Sequence, residues 1–198
     1  MPEAAGWRAA DWRVEAERPA VVRFGARAID VDTPAGLTLW YRPPIAGPVV
    51  IRFEAMAVSA GGPNDRVSDV NAFWMAREPD GRVPMVRSGA FADYDTLRLY
   101  YVGIGGNANG STRMRRYVGQ AGVRPLLPQH DRNDAASLLV PNRWTRIRLV
   151  ADGGRIAVWR DGRRLFAMDD PAPYTSGWFG LRTTQSHIRF RKIRITTP

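Results

Sequence analysis

Segments of four to eight residues rich in Val, Ile, Leu, Phe, Tyr and Trp recur along this chain, each cut off by residues that favour turns. The interruptions include Gly61-Gly62-Pro63, Asp80-Gly81, Asp152-Gly153-Gly154 and Asp161-Gly162, which supply the positive φ angles and tight reversals of hairpins. No stretch of useful length carries the 3.6-residue apolar period of an amphipathic helix. The pattern therefore predicts an all-β fold. Candidate strands are Ala20–Phe24, Leu37–Arg42, Val49–Val58, Ala72–Ala76, Leu97–Gly103, Trp144–Ala151, Arg155–Arg160, Arg164–Met168, Gly177–Thr183 and Ser186–Ile195.

Two local patterns refine the expectation. The two Gly-containing turns after Ala151 and Arg160 make the strands beginning at Trp144, Arg155 and Arg164 a three-strand meander. Along 51–58, Ile51, Phe53 and Ala55 alternate with Arg52, Glu54 and Met56, as in a sheet with one polar face on which a ligand could lie. This many strands must hide their edges, so a two-sheet antiparallel sandwich is the economical architecture.

A chain of 198 residues suits one domain over 1–198, with 1–12 as a flexible N-terminal extension. Hydrophobic residues make up 44%, enough for a packed core. No run approaches the roughly 18 apolar residues of a membrane span, so no membrane partner is expected. The N-terminus lacks the basic and apolar stretches of a signal peptide. Periplasmic or secreted residence follows if a signal was removed, and cytoplasmic residence otherwise. With no cysteine, disulfides and thiolate metal sites are excluded. No cofactor is expected, and structural calcium would need backbone carbonyls that a sequence does not display. The net charge of +10 arises from 28 Arg and 1 Lys against 14 Asp and 5 Glu, a balance that attracts polyanions. With Lys192 as the one lysine, the mixed Lys/Arg clusters usual on nucleic-acid surfaces are missing, so nucleic acid is disfavoured as a partner.

The run NRWTRIRLVADGGRIAVWRDGRRLF followed by PYTSGWFGLRTTQSHIRFRKIRI resembles the C-terminal strands of concanavalin A-like lectin/glucanase jelly rolls. That resemblance implies a jelly-roll β-sandwich and is nearly silent about function. From Trp40 onward, DRVSDVNAFWMA, YYVGIGGNANGSTRMRRYVG, RPLL and GWFGLRTTQSH are similar to motifs of a bacterial family of jelly-roll domains. Some of its members are encoded beside genes of pectin and rhamnogalacturonan degradation. The resemblance implies a carbohydrate context and carries no mechanism over residue by residue.

Four constellations are candidates for chemistry. Asp65, Arg66, Ser68, Asp69 and Asn71 precede Phe73 and Trp74; regular alternation puts Asp69, Asn71 and Phe73 on one face, with Ser68 and Trp74 opposite. The densest polar run holds Tyr100, Tyr101, Asn107, Asn109, Thr112, Arg113, Arg115, Arg116 and Tyr117 among glycines at 103, 105 and 106, and reads as a cleft rim. Arg124 to Leu127 with Gln129, His130 and Asp131 forms a long loop. Trp178, Arg182, Thr183, Thr184, Ser186 and His187 lie near the C-terminus, where His187 is the stronger of the two histidines as a proton carrier.

The Glu-x-Asp-x-Glu triplet of retaining glucanases is absent, leaving Glu54 with Asp69 as the pair for a hydrolase reading. β-Elimination on a uronate polymer asks for cations to neutralise the carboxylate, a base and an acid. The first expectation is thus a polysaccharide-lyase-like protein that binds and cleaves an acidic polysaccharide or oligosaccharide. His187, Tyr101, Tyr117 and Asp69 serve as catalytic groups, and Asn71, Trp74, Asn107, Asn109, Arg113, Arg115, Arg116, Arg124, Trp178 and Arg182 bind substrate. The alternative is a non-catalytic carbohydrate-binding jelly roll in which Trp74, Trp178 and tyrosines stack on sugars.

Overall fold

The computed structural model describes residues 8–198. Fifteen strands follow in order: β1 Trp12–Ala16, β2 Val21–Phe24, β3 Ile29–Thr33, β4 Leu37–Tyr41, β5 Ile45–Ala46, β6 Val49–Ala57, β7 Val70–Arg77, β8 Arg98–Gly105, β9 Ser111–Val118, β10 Asp131–Arg132, β11 Thr145–Asp152, β12 Arg155–Arg160, β13 Arg163–Asp169, β14 Ser176–Thr183 and β15 Ser186–Thr196. They form two antiparallel sheets. One has the order β1-β4-β14-β7-β8-β9-β10, with β5 attached to β14; the other has the order β13-β12-β11-β6-β15-β3-β2. The expected all-β sandwich is the architecture found, including the β11-β12-β13 meander. Among the described residues no helix is long and apolar enough to cross a membrane.

All ten candidate strands are present, with ends shifted by at most two residues. Strands β1, β3, β5, β9 and β10 were not expected. In β3, buried Ile29, Val31 and Thr33 alternate with Asp30 and Asp32, and acidic residues weaken a strand signal that the apolar phase carries. In β9 the inward Met114 is flanked by arginines, so the strand reads as a polar loop until its pairing with β8 is seen. Residues 1–7 of the expected N-terminal extension lie outside the described part. From residue 9 the chain is ordered into Ala9–Asp11, a short 3-10 turn, and Trp12 is buried in the core, so the extension does not reach residue 12.

The main core lies between the sheets. Ile51, Phe53, Leu149 and Phe190 of one sheet meet Leu39, Trp74, Val102 and Phe179 of the other. A second apolar cluster sits on the outer face of the eight-stranded sheet: Trp40, Phe73, Leu99, Tyr101 and Tyr117 are capped by Tyr94 and Leu97 from the 78–97 segment. This covering makes β7 and β8 buried on both faces, which explains their near-continuous apolar sequence. The cap stops short of the β7-β8-β9 ends, and the groove described below opens there.

Candidate functional site

Register places the outward side chains of the eight-stranded sheet in two transverse rows. One runs Glu15, Thr38, Arg182, Asn71, Gly103, Arg113, Asp131, and the next runs Arg13, Trp40, Gly180, Phe73, Tyr101, Arg115. Where the rows cross β7, β8 and β9 they floor a groove of about 360 Å³, lined by Arg66, Asp69, Asn71, Phe91, Tyr101, Gly103, Gly106, Asn107, Ser111, Arg113, Arg115, Arg124 and Thr184.

Gly103 determines the floor. A Cβ there would lie 2.0 Å from the Tyr101 hydroxyl and 2.9 Å from Asn71 Oδ1, so only glycine lets both polar groups converge over the strand. Tyr101 is held from three sides by the rings of Phe73, Phe91 and Tyr117, with centroids 5.8, 5.6 and 5.9 Å away. Burial pushes its phenol well above the usual tyrosine range. Burial likewise pushes Tyr117 up, and its hydroxyl is buried with no hydrogen-bond partner. Asn71 Oδ1 is also buried and unpartnered.

Asp69 enters β7 with φ 55°. Its Oδ2 accepts from Ser68 Oγ at 2.7 Å and Thr184 Oγ1 at 2.5 Å, which fixes the carboxylate at the groove wall. The far wall is the β8–β9 turn, where Gly105, Asn107, Ala108 and Asn109 all adopt left-handed φ between 53° and 70°. Three consecutive non-glycine residues in that region are costly, and side-chain bonds hold them there. Asn109 Nδ2 donates to Leu139 O at 3.0 Å and Asn109 Oδ1 accepts from Leu139 N at 2.8 Å, while Asn107 Nδ2 donates to Ser111 Oγ at 3.0 Å.

The charge of the groove is unbalanced toward cations. Arg113 is bidentate to Asp131 at 2.9 and 3.1 Å, and Arg124 bonds Asp95 at 2.6 Å. Arg115 donates to the Arg124 carbonyl and Arg66 is exposed, and neither holds a carboxylate. Beside the floor, in the same outward row and under the 78–97 cap, Arg182 is 1% exposed; it donates to Thr38 Oγ1 at 2.9 Å and Gly89 O at 2.8 Å, and its Nε has no partner. The Phe91 and Tyr94 rings each lie 5.0 Å from its guanidinium, which compensates part of its desolvation.

Seven of the expected residues line this groove: Asp69, Asn71, Tyr101, Asn107, Arg113, Arg115 and Arg124. Tyr117 and Arg182 flank it beneath the 78–97 cap, and Asn109 holds its wall. Others are elsewhere. Trp74 is fully buried between the sheets and offers no face to a sugar, which corrects its expected stacking role. Arg116 turns to Asp170 at 2.6 Å and lies over the Tyr174 ring. Trp178 flanks a separate small hollow with Trp40 and Arg42. His187 belongs to β15 in the opposite sheet and does not line the groove; its Nδ1 and Nε2 meet Asp65 and Asp30 at 3.0 and 3.1 Å. Glu54 is also in that sheet, held by Arg191 and Lys192, so Glu54 and Asp69 lie on opposite outer faces and cannot flank one glycosidic bond. His130 is buried against Phe166 with Nε2 at 3.0 Å from Ala167 O. Phe91 and Ser111 were missed as site residues, while Thr184, a member of the C-terminal constellation, lines the groove. The cap that brings Phe91 there is a long-range packing event with no local signal.

The fold and a polar groove on one sheet face define a β-sandwich of the jelly-roll, galectin-like class. A Bacillus subtilis protein of unknown function with a galectin-like fold is similar at 15% identity and TM-score 0.71, covering 95% of this chain and 90% of that one. The carbohydrate binding module CBM66 from Bacillus subtilis is similar at 9% identity and TM-score 0.65, covering 94% and 96%. The VIP36 exoplasmic/lumenal domain in its Ca2+/Man3GlcNAc-bound form is similar at 12% identity and TM-score 0.60, covering 98% and 86%. Among curated proteins no sequence matches. The chain belongs to the family described as Domain of unknown function (DUF6250), whose pattern matches residues 31–193.

Proposed function

We propose that this chain is a carbohydrate-binding module whose ligand is an acidic saccharide seated in the groove over Asn71, Gly103 and Tyr101. The observation that carries the reading is a set of polar groups left unspent by the fold. Asn71 Oδ1 has no partner, and Asp69 presents its Oδ1 to the groove beside Gly106. A buried polar atom without a partner is costly, and a sugar hydroxyl satisfies it. Arg66 and Arg115, which hold no carboxylate, supply the complement for a uronate through two parallel hydrogen bonds. The carbohydrate-binding fold neighbours support saccharide recognition in general, and the acidic specificity rests on the arginines.

Binding is favoured over elimination for a geometric reason. The expected proton carrier His187 is outside the groove with both ring nitrogens occupied, and the nearby phenols are pushed up by burial, which makes them poor proton donors near neutrality. The test is calorimetric titration with uronate and neutral oligosaccharides, run beside ultraviolet detection of unsaturated uronate. Expected are binding of the uronate, loss of at least tenfold in affinity in Asn71→Ala, and no unsaturated product. Preferential binding of neutral sugars refutes the acidic reading, and unsaturated product refutes the non-catalytic one.

A further inference from the structure

The outer face of the other sheet carries a second, unrelated feature. Register aligns Arg194 of β15 with Arg52 of β6, Arg52 with Arg148 of β11, Arg148 with Trp159 of β12, and Trp159 with Arg164 of β13. Five adjacent strands thus present four arginines and one tryptophan in a single line, spaced by about 4.8 Å per strand and about 19 Å long. Like charges directly opposite on neighbouring strands destabilise a sheet. Here three stand side by side, and among the described residues no carboxylate relieves Arg52, Arg148 or Arg194: the Arg52 guanidinium bonds Thr196 Oγ1 at 3.3 Å, and Arg148 leans on Trp159 at 5.6 Å with its Nε buried and unpartnered. Other arginines of the chain are paired, among them Arg87 with Glu78 and Arg116 with Asp170. Arg194, Arg52, Arg148 and Trp159 line a hollow of about 590 Å³ whose remaining ionic side chains are Arg146, Lys192 and Glu54, and Arg164 continues the row beyond it. Lys192 is spent on Glu54 at 3.0 Å.

We propose that this row is a second binding site, for a linear uronate polysaccharide laid across the strands, distinct from the groove on the opposite face. A repulsive row retained at a cost to the sheet is explained by a ligand that discharges it. The charge is complementary to a polyanion, and guanidiniums one strand apart match a polymer bearing one carboxylate per sugar. A single nucleic-acid strand asks for aromatic platforms. Of the two aromatic residues at the hollow, Phe53 is buried in the core and Trp159 already carries Arg148 over its ring. An anionic membrane asks for apolar side chains to insert, and none of the exposed large hydrophobics lines this hollow.

The site makes no use of the groove residues, so it stands whether or not the groove binds saccharide. The experiment is calorimetric titration of a galacturonate hexamer into the wild type, an Arg52→Gln/Arg194→Gln variant and an Asn71→Ala/Arg115→Gln variant, at two salt concentrations. Both Arg52 and Arg194 are exposed, so the fold tolerates their change. The proposal expects Arg52→Gln/Arg194→Gln to abolish a salt-sensitive binding event or weaken it at least tenfold, and Asn71→Ala/Arg115→Gln to leave that event intact. Its melting temperature at low salt should equal or exceed that of the wild type, because repulsion is removed. Unchanged galacturonate binding in Arg52→Gln/Arg194→Gln overturns the proposal. So does a lowered melting temperature, or tighter binding of oligothymidylate that depends on the same two arginines. Failure of the groove reading is read separately, as unchanged binding in Asn71→Ala/Arg115→Gln.

Discussion

Gly103→Ala is the sharpest perturbation of the groove. Its added methyl would sit 2.0 Å from the Tyr101 hydroxyl, which must retreat by about 1.4 Å to reach ordinary van der Waals separation. Three aromatic rings surround Tyr101 and resist that movement, and Asn71 Oδ1 at 2.9 Å from the methyl blocks the other direction. Overpacking of this kind costs about 1–3 kcal/mol of stability. Displacing two ligand-facing polar groups, each contributing about 0.5–1.5 kcal/mol, should raise the Kd for a uronate oligosaccharide by about tenfold. Urea unfolding and calorimetric titration measure the two effects. Adding Tyr101→Phe removes the hydroxyl and leaves the ring carbon 2.7 Å away as the nearest atom, so the double variant should recover part of the stability loss, with a coupling above about 0.5 kcal/mol. Strict additivity, or wild-type affinity in Gly103→Ala, refutes the steric reasoning.

Three further outcomes are expected. Trp74→Phe should cost about 1–2 kcal/mol of core packing while leaving saccharide affinity unchanged, because the ring is enclosed between the sheets; a weakened Kd would reinstate it as a ligand contact. Arg182→Met strips the hydrogen bonds to Thr38 and Gly89 and should lower stability by about 2–3 kcal/mol in urea unfolding, an unmoved midpoint being the refuting result. For Asp170, burial alone would raise the carboxyl, but the Tyr100 hydroxyl, Arg116 and the Ala172 N–H outweigh it and hold it below the usual carboxylate range. Glu78 is held down in the same way, with Arg87 and the Met85 N–H outweighing burial. Lowered folded-state values mean that this stabilisation is complete above about pH 5 and is lost as the pH falls below about 4. The unfolding midpoint should drop over that window and flatten in Asp170→Asn; the same acid slope in that variant would exclude Asp170 as its source.

What the sequence determined was set by local rules. Alternation and turn dipeptides located ten strands and the 144–169 meander, because period-two burial and Asp-Gly turns act within a few residues. The phase of Asn71 and Phe73 against Trp74 was legible for the same reason, whereas the convergence of Asn71, Tyr101, Arg113 and Arg115 needed the pairing of β7, β8 and the unexpected β9. Tertiary structure decided the rest. Alternation names two faces but cannot say which one is covered, so Trp74 and Trp178 looked equally available until the second sheet buried one of them. Which sheet a strand joins depends on pairings that are distant in sequence: His187 pairs beside Asp32 in one sheet while Tyr101 pairs beside Phe73 in the other. The row of Arg194, Arg52 and Arg148 is the same lesson in reverse, since three arginines scattered over more than 140 positions become neighbours only when register aligns their strands.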